Sequence, residues 1–311
     1  MSGQGIEVHS LTKRFGATTA LKDISFSIGK GELFGVLGPD GAGKTTLCRI
    51  LAAVMSPTEG AVTIGPFTIG KDSEKVKHHT GYMPHAFGLY GDLTVEENID
   101  FYADIFRVPF KERKERMERI LGFTGMAPFT DRRSQNLSGG MKQKLQLACA
   151  LIHTPEYLIL DEPTFGVDPV SRREFWKLLL ELLKGGLTIL VSTSYMDEAQ
   201  RCHRIALLSA GKILRQGDPV TIISDIPGVM TELCCDTTAE TSRAIETLSE
   251  VRTVTLYGDR IHALLKEGVT ADQFKSRIEE KGFSALPVSV ITPSLEDYFI
   301  YLIEEERSHA Q

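Results

Sequence analysis

Long apolar runs are what this 311-residue sequence most clearly lacks. No stretch approaches the roughly 20 consecutive apolar residues that cross a bilayer, so any membrane role is expected to be peripheral. The first residues carry no secretory pattern of charges followed by an apolar core. Excess positive charge is also missing, since 35 Lys and Arg stand against 41 Asp and Glu, a formal net charge of −6. Bulk electrostatics therefore provide no nucleic-acid surface, and no nucleic-acid partner is expected. Cysteines are few, and Cys48, Cys149, Cys202, Cys234 and Cys235 show no metal-ligand spacing. Cys234 and Cys235 are adjacent and would face opposite ways in a strand. All five read as reduced thiols of a cytosolic chain, not as a disulfide framework. Sustained heptads, internal repeats and low-complexity tracts are absent as well. What remains is an ordinary globular composition, long enough for two domains that each bury a core.

The patterning that is present divides the chain. IEVHSL (6–11) and ALKDISFSI (20–28) alternate apolar and polar residues, as half-buried antiparallel strands do. ELFGVLG (32–38) is a buried strand, and helical periodicity from Lys44 to Met55 ends at the turn signals SPTEG (56–60). AVTIG (61–65) and TGYMP (80–84) read as short strands around a charged helix. A helical segment follows, from about 88 to 152, in which Thr94-Val95-Glu96-Glu97 is a capping box and KERKERMERI (111–120) is a solvated helix. YLILD, SRREFWKLLLELL and LTILVST then alternate strand and helix, the signature of a parallel sheet flanked by helices. RIALLSAGKILRQG (204–217) reads as a hairpin turning at Ala210-Gly211. The pattern resets after about residue 218. VMTELCCD, TSRAIETLSE, a hairpin turning at Gly258-Asp259, TADQFKSRIEEKG and ALPVSVI form a small α+β domain of ferredoxin-like pattern over 226–311. Thr292 and Pro293 are read as N-cap and first-turn proline of its last helix, SLEDYFIYLIEEE. No ligand or nucleophile constellation is visible there, and Asp272, Lys275, Glu279 and Glu280 read as solvated helix faces.

Chemistry concentrates in the first domain, 1–220. Gly38-Pro39-Asp40-Gly41-Ala42-Gly43-Lys44-Thr45 fits G-x-x-x-x-G-K-[ST] after a buried strand and at a helix start, with Thr46 next. Its glycines let successive amides curl around phosphate, and the helix dipole adds positive charge. Lys44 is placed to reach the β- and γ-phosphates, and the Thr45 hydroxyl to ligate magnesium. YLILDEP (157–163) ends a buried strand in Asp161, a second magnesium candidate, and Glu162, poised to activate water. Leu137-Ser138-Gly139-Gly140-Met141 opens a second glycine-rich helix start, an anion site by the same physics. One nucleotide would use both glycine-rich ends only if two such domains faced each other.

Together the glycine loop, LSGGM and LILDEP resemble the ATP-binding domain of ABC transporters over roughly the first 220 residues. The resemblance implies a P-loop NTPase fold, with a RecA-like core, an antiparallel β subdomain and a helical subdomain. It implies ATP and Mg2+ as ligands, bound between one chain's glycine loop and the LSGG of a second ATP-binding chain, identical or paralogous. It places Phe15 against adenine and Asp168 in a dimer-contact loop. The C-terminal extension and ITPSLEDYFIYL resemble the ABC-2 export branch. Integral-membrane permease subunits as partners, and a peripheral place on the cytoplasmic face of the membrane, are then expected. A soluble ABC-type ATPase and a non-hydrolysing nucleotide sensor are the alternatives.

Two positions depart from the family pattern. The strand ending in VST is followed in the family by a histidine that contacts the γ-phosphate, whereas here it is followed by Ser194. Serine has no ring nitrogen and carries no positive charge. Ser194-Tyr195-Met196-Asp197 also fits a capping pattern, so an N-cap is read as the main role of Ser194. The family's glutamine after GY-x-P is replaced by His85, which reads equally as a neutral loop histidine or as a group approaching the metal. The two departures beside an intact LSGGM suggest a heterodimer with one degenerate site. The retained Glu162 argues against a fully silent site, and a homodimer of modest activity is the alternative.

Overall fold

The strands β1 (Ile6–Phe15) and β2 (Thr18–Ile28) pair antiparallel, with Ile6 opposite Ile28 and Val8 opposite Phe26. In this computed structural model, which describes residues 5–86, 88–234, 238–283 and 287–309, the chain divides into two compact units at Gln216/Gly217. Cys235, Asp236, Ala285 and Leu286, which the sequence placed in the segments VMTELCCD and ALPVSVI, lie outside the described residues.

Strand β3 (Leu33–Leu37) is buried throughout and runs through the glycine loop into α1 (Lys44–Leu51). That helix stops four residues before Met55, and the chain reverses at Ala53 with φ 54°. β4 (Glu59–Ile64), β5 (Phe67–Thr68), α2 (Ser73–His79) and β6 (Thr80–Met83) follow. Next come the helices α3 (Val95–Ile105), α4 (Phe110–Thr124) and α5 (Gly139–Leu151). Thr94 and Glu97 complete the reciprocal capping box of α3. The fully buried Asn98 amide donates to the carbonyls of Tyr90, Leu93 and Thr94, which pins the turn before that helix. β7 (Tyr157–Asp161), α6 (Pro169–Lys184), β8 (Thr188–Thr193), α7 (Met196–Ala199), β9 (Arg204–Ser209) and β10 (Lys212–Gly217) complete the set.

A four-stranded sheet has the order β2-β1-β4-β5, and a six-stranded sheet the order β10-β9-β3-β8-β7-β6. In the larger sheet, β3, β8, β9, β7 and β6 pair in parallel. Its central strands β3, β7 and β8 are buried at every position, as strands covered on both faces must be. One core cluster unites the inward faces of both sheets with α1, and the rings of Phe26 and Phe34 stack within it at 5.2 Å. Truncating such a residue to Ala costs about 2–5 kcal/mol.

In the second unit, α8 (Pro219–Ser224) is capped by Asp218, whose carboxylate accepts from the amides of Val220 and Thr221. β11 (Met230–Cys234), α9 (Thr238–Glu246), β12 (Val251–Tyr257), β13 (Arg260–Leu265), α10 (Ala271–Glu280) and β14 (Val288–Val290) then form an antiparallel sheet of order β12-β13-β11-β14. This is a split β-α-β-β-α-β arrangement. Leu233, Ile261, Phe274 and Ile278 share its core, while Asp272, Lys275, Glu279 and Glu280 are exposed. The start of α11 (Leu295–His309) corrects the sequence reading. Ser294 is the cap: its Oγ accepts from the Asp297 amide at 3.1 Å, and Asp297 Oδ2 accepts from the Ser294 amide at 2.8 Å. Thr292 does not cap this helix, and Pro293 lies before the cap, because the Ser-x-x-Asp box satisfies two orphan amides reciprocally.

Candidate functional site

Parallel pairing places Leu37 opposite Thr193 and Asp161 opposite Ser192. The residues that follow, Gly38, Glu162 and Ser194, therefore leave the sheet side by side at its carboxyl edge, where open α/β sheets bind ligands. Glycine is required in the first of these loops by close approach. A Cβ on Gly38 would stand 2.2 Å from the Leu208 carbonyl oxygen, and one on Gly43, where φ is 109°, 2.7 Å from that of Ala20. The loop ends at the start of α1, whose free amides and positive dipole end face the same space.

Lys44 is 4% exposed and converges on four oxygens. Its Nζ donates to Gly38 O at 2.6 Å, Pro39 O at 3.0 Å and Ser194 Oγ at 2.9 Å, and lies 3.0 Å from Glu162 Oε1. The Ser194 hydroxyl donates to the same Glu162 oxygen at 3.3 Å. Glu162 itself sits in the left-handed region, φ 50°, with its amide held at 3.1 Å by both the carbonyl and the hydroxyl of Ser192. A non-glycine residue there is strained by about 1–3 kcal/mol. The strain aims the carboxylate back at the glycine loop.

Asp161 is fully buried. Its Oδ1 accepts from Thr45 Oγ1 at 3.2 Å and from Ser192 Oγ at 2.9 Å, whereas Oδ2 has no hydrogen-bond partner. Beside it, burial and then the Asp161 charge push the Cys48 thiol well above its ordinary range. A cavity of about 290 Å³ opens in front of these groups, lined by Pro39, Asp40, Gly41, Gly43, Lys44, Thr45 and Thr46 of the loop and helix, with Ala20, His85, Glu162 and Phe165.

The arrangement can be compared with known proteins. The ABC transporter family profile matches residues 21–165. The Nod factor export ATP-binding protein I of Rhizobium sp. (strain N33) is 34% identical over 308 residues, which is 98% of this chain and 99% of that relative. The chain belongs to the ATP-binding proteins of ABC transporters. The probable multidrug ABC transporter ATP-binding protein YbhF of Escherichia coli (strain K12) is 40% identical over 97% of this ABC chain but only 53% of its own, so the chain spans about half the length of that relative. Among solved structures, the dimeric post-hydrolysis state of the ATP-binding cassette MJ0796, bound to ADP and Pi, matches with a TM-score of 0.63 at 28% identity, covering 68% of this chain and 98% of that one.

In this ABC chain the structure brings together the whole glycine loop, Asp161, Glu162, His85 and Ser194, and keeps the rest apart. Leu137, Ser138, Gly139, Gly140 and Met141 do not line the cavity; Ser138 and Gly139 are exposed, and Ser138 caps α5 by accepting from the Met141 amide at 3.3 Å. Asp168 caps α6, accepting from the amides of Val170 and Ser171, which hold its carboxyl below the usual range. Phe15 ends β1 half-exposed with the Lys13 ammonium 5.1 Å over its ring, and does not line the cavity. His85 lies against Phe165, ring centroids 5.2 Å apart.

Ser194 is a correction. The N-cap of α7 is Tyr195, not Ser194, and the Tyr195 amide is taken by Thr193 Oγ1 at 3.0 Å. No side chain caps α7, and the Ser194 hydroxyl turns instead to Lys44 and Glu162. Sequence reasoning missed Ser192, which joins Asp161 to Glu162, and Phe165, which walls the cavity. Neither has a local signal: Ser192 acts through a strand pairing across some thirty residues, and Phe165 through its packing against the distant His85.

Among the described residues no helix is long and apolar enough to cross a membrane. Cys48, Cys149 and Cys202 are buried free thiols, and Cys234 is an exposed one.

Proposed function

We propose that this chain binds MgATP at Gly38–Thr46 and hydrolyses it with Glu162 as general base, as the ATP-driving subunit of an ABC-2-type exporter. The observation that carries the reading is the convergence of Lys44, Ser194 and Glu162 at one end of the cavity. As it stands, Lys44 spends its protons on Gly38 O, Pro39 O, Ser194 and Glu162. A β- or γ-phosphate entering the loop replaces those acceptors with stronger, fully anionic ones. Glu162 then loses its cation, and its Oε1 becomes available to orient a water and accept its proton. The Ser194 hydroxyl remains as a hydrogen-bond donor between them.

Magnesium fits the residues present. The orphaned Oδ2 of buried Asp161 beside the Thr45 hydroxyl supplies a hard oxygen pair. Among the described residues no group of three or more His, Cys, Asp or Glu could hold a metal by itself, so phosphate and water oxygens would fill the other positions. When bound, the ion neutralises charge on the transferring phosphoryl group.

The exposed Ser138–Gly139 end of α5 is available to a second ATP-binding chain, so that ATP lies between two copies or two paralogues. The dimer with ADP and Pi described for the MJ0796 cassette supports this assembly. Names such as multidrug transporter and Nod factor export protein among the relatives support export, with membrane permease subunits as partners and a peripheral position on the cytoplasmic face. The loop around His85 and Tyr90 would carry the motion to those subunits. Serine in place of a ring nitrogen beside Glu162 supports slow turnover at this chain's own site.

Steady-state MgATP hydrolysis by the full chain, at concentrations that drive dimerisation, tests the proposal beside Glu162→Gln. Slow turnover that the variant abolishes, and that rises when a second ATP-binding chain is added, is the expected result. Absence of ATP binding overturns it.

A further inference from the structure

Glu198, on α7, is a carboxylate at 1% exposure outside the cavity lining. Both of its oxygens are occupied. Oε1 accepts from Thr164 Oγ1 at 2.5 Å and from Arg172 Nε at 3.2 Å, and Oε2 accepts from Thr193 Oγ1 at 2.8 Å. Thr164 lies two residues after Glu162, and Thr193 immediately precedes Ser194. Arg172, on α6, also reaches Asp197 at 3.1 Å and lies 4.1 Å from the centre of the Tyr195 ring. Burying a carboxylate is costly unless it is paired and hydrogen-bonded, and this one is both.

Two carboxylate oxygens serve all three donors. A glutamine has one acceptor oxygen, and its NH2 would confront either a hydroxyl that needs an acceptor or the guanidinium of Arg172. We propose that Glu198 is a positioning residue that locks the segment carrying Glu162 to the segment carrying Ser194. It holds the Glu162 carboxylate within reach of Lys44 and the Ser194 hydroxyl, without touching nucleotide itself. The inference rests on the reading of Glu162 as the base and deepens it.

The test is amide hydrogen exchange on the full chain and on Glu198→Gln, read together with steady-state kinetics. The amides of Phe165, Val167, Tyr195 and Glu198 all bond within the two segments. Their exchange is expected to rise together, by roughly five- to thirtyfold, while the amides of Ala42 in the glycine loop and Leu47 in α1 keep their protection. The kcat is expected to fall about tenfold to a hundredfold with KM for ATP retained, as displacement of a catalytic group by about an ångström does. Thr164→Val, which keeps the Glu198–Arg172 pair and leaves the Thr193 hydroxyl that holds the Tyr195 amide, is expected to give the same paired exchange. Thr164→Ser is expected to perturb less than Thr164→Val. Exchange that rises in one segment only, in neither, or equally at residues 38–47 overturns the proposal. Should the unaltered chain turn over no ATP, the hydrolysis reading fails, and the exchange result still decides the role of Glu198.

Discussion

Replacing Glu162 by Gln should tighten nucleotide binding, and the resting geometry says by how much. Lys44 is paired with Glu162 at 3.0 Å, and both side chains are nearly buried, at 4% and 9% exposure. A phosphate that claims Lys44 must break this pair and then sit beside an uncompensated carboxylate. At an effective dielectric of about 20, two unit charges 3 Å apart attract by roughly 5 kcal/mol. Desolvation and the three other acceptors around Nζ reduce the net value, and a hydrogen bond between charged groups contributes about 1.5–3 kcal/mol. The Gln oxygen retains part of it. A gain of about 1–2 kcal/mol in phosphate binding remains, roughly 5- to 30-fold in Kd. The assay is titration with the non-hydrolysable β,γ-imido analogue of ATP, at chain concentrations too low for dimerisation, so that neither turnover nor assembly contributes. Ser194→Ala, which leaves the ion pair intact, should shift the Kd far less. If Glu162→Gln binds the analogue no more tightly than the unaltered chain, the view that Glu162 competes with phosphate for Lys44 is wrong.

Two further outcomes follow from buried geometry. His153, 9% exposed and stacked on Phe106 at 3.8 Å, has its pKa pushed down to about 4 by burial. Against an unfolded value of about 6.5, the unfolded chain binds the extra proton first, so stability present above pH 6.5 is lost as pH falls towards 4. At pH 5 the loss is about 2 kcal/mol, and urea unfolding of His153→Gln at pH 7 and pH 5 should show a shallower pH dependence than the unaltered chain. In the LSGG segment, a Cβ on Gly140 would stand 2.5 Å from Ser171 Oγ and 2.6 Å from Ser171 Cβ. Gly140→Ala should therefore destabilise by about 1–3 kcal/mol, and adding Ser171→Gly should recover part of that in chemical denaturation; strictly additive losses would refute the clash.

Much of this molecule was legible because its signals are local. The glycine loop is a turn whose residues contact one another and the helix they open, so spacing alone reveals it. The Thr94 capping box and the hairpin turns at Ala210-Gly211 and Gly258-Asp259 are likewise settled within a few residues. The alternation of apolar strands and helices was enough to imply a parallel sheet. Local patterns also mislead where two of them compete. Ser194-Tyr195-Met196-Asp197 and Thr292-Pro293 both scan as caps, yet Tyr195 takes the first position without a side-chain cap while Ser194 bonds to Lys44 and Glu162, and Ser294 takes the second through its reciprocal bonds with Asp297.

By itself, then, the sequence determined where the two glycine-rich helix starts lie, which carboxylates end the buried strand, and that one serine stands where the family resemblance expects a histidine. Tertiary structure alone decided what that serine touches. Ser194 meets Lys44 across 150 positions of sequence, and Ser192 joins Asp161 to Glu162 across about thirty. Those distances are fixed by the register of β3, β7 and β8. Register is a property of the packed sheet as a whole: a shift of one residue would turn every side chain on a strand to its other face, and no single stretch of the chain carries that information.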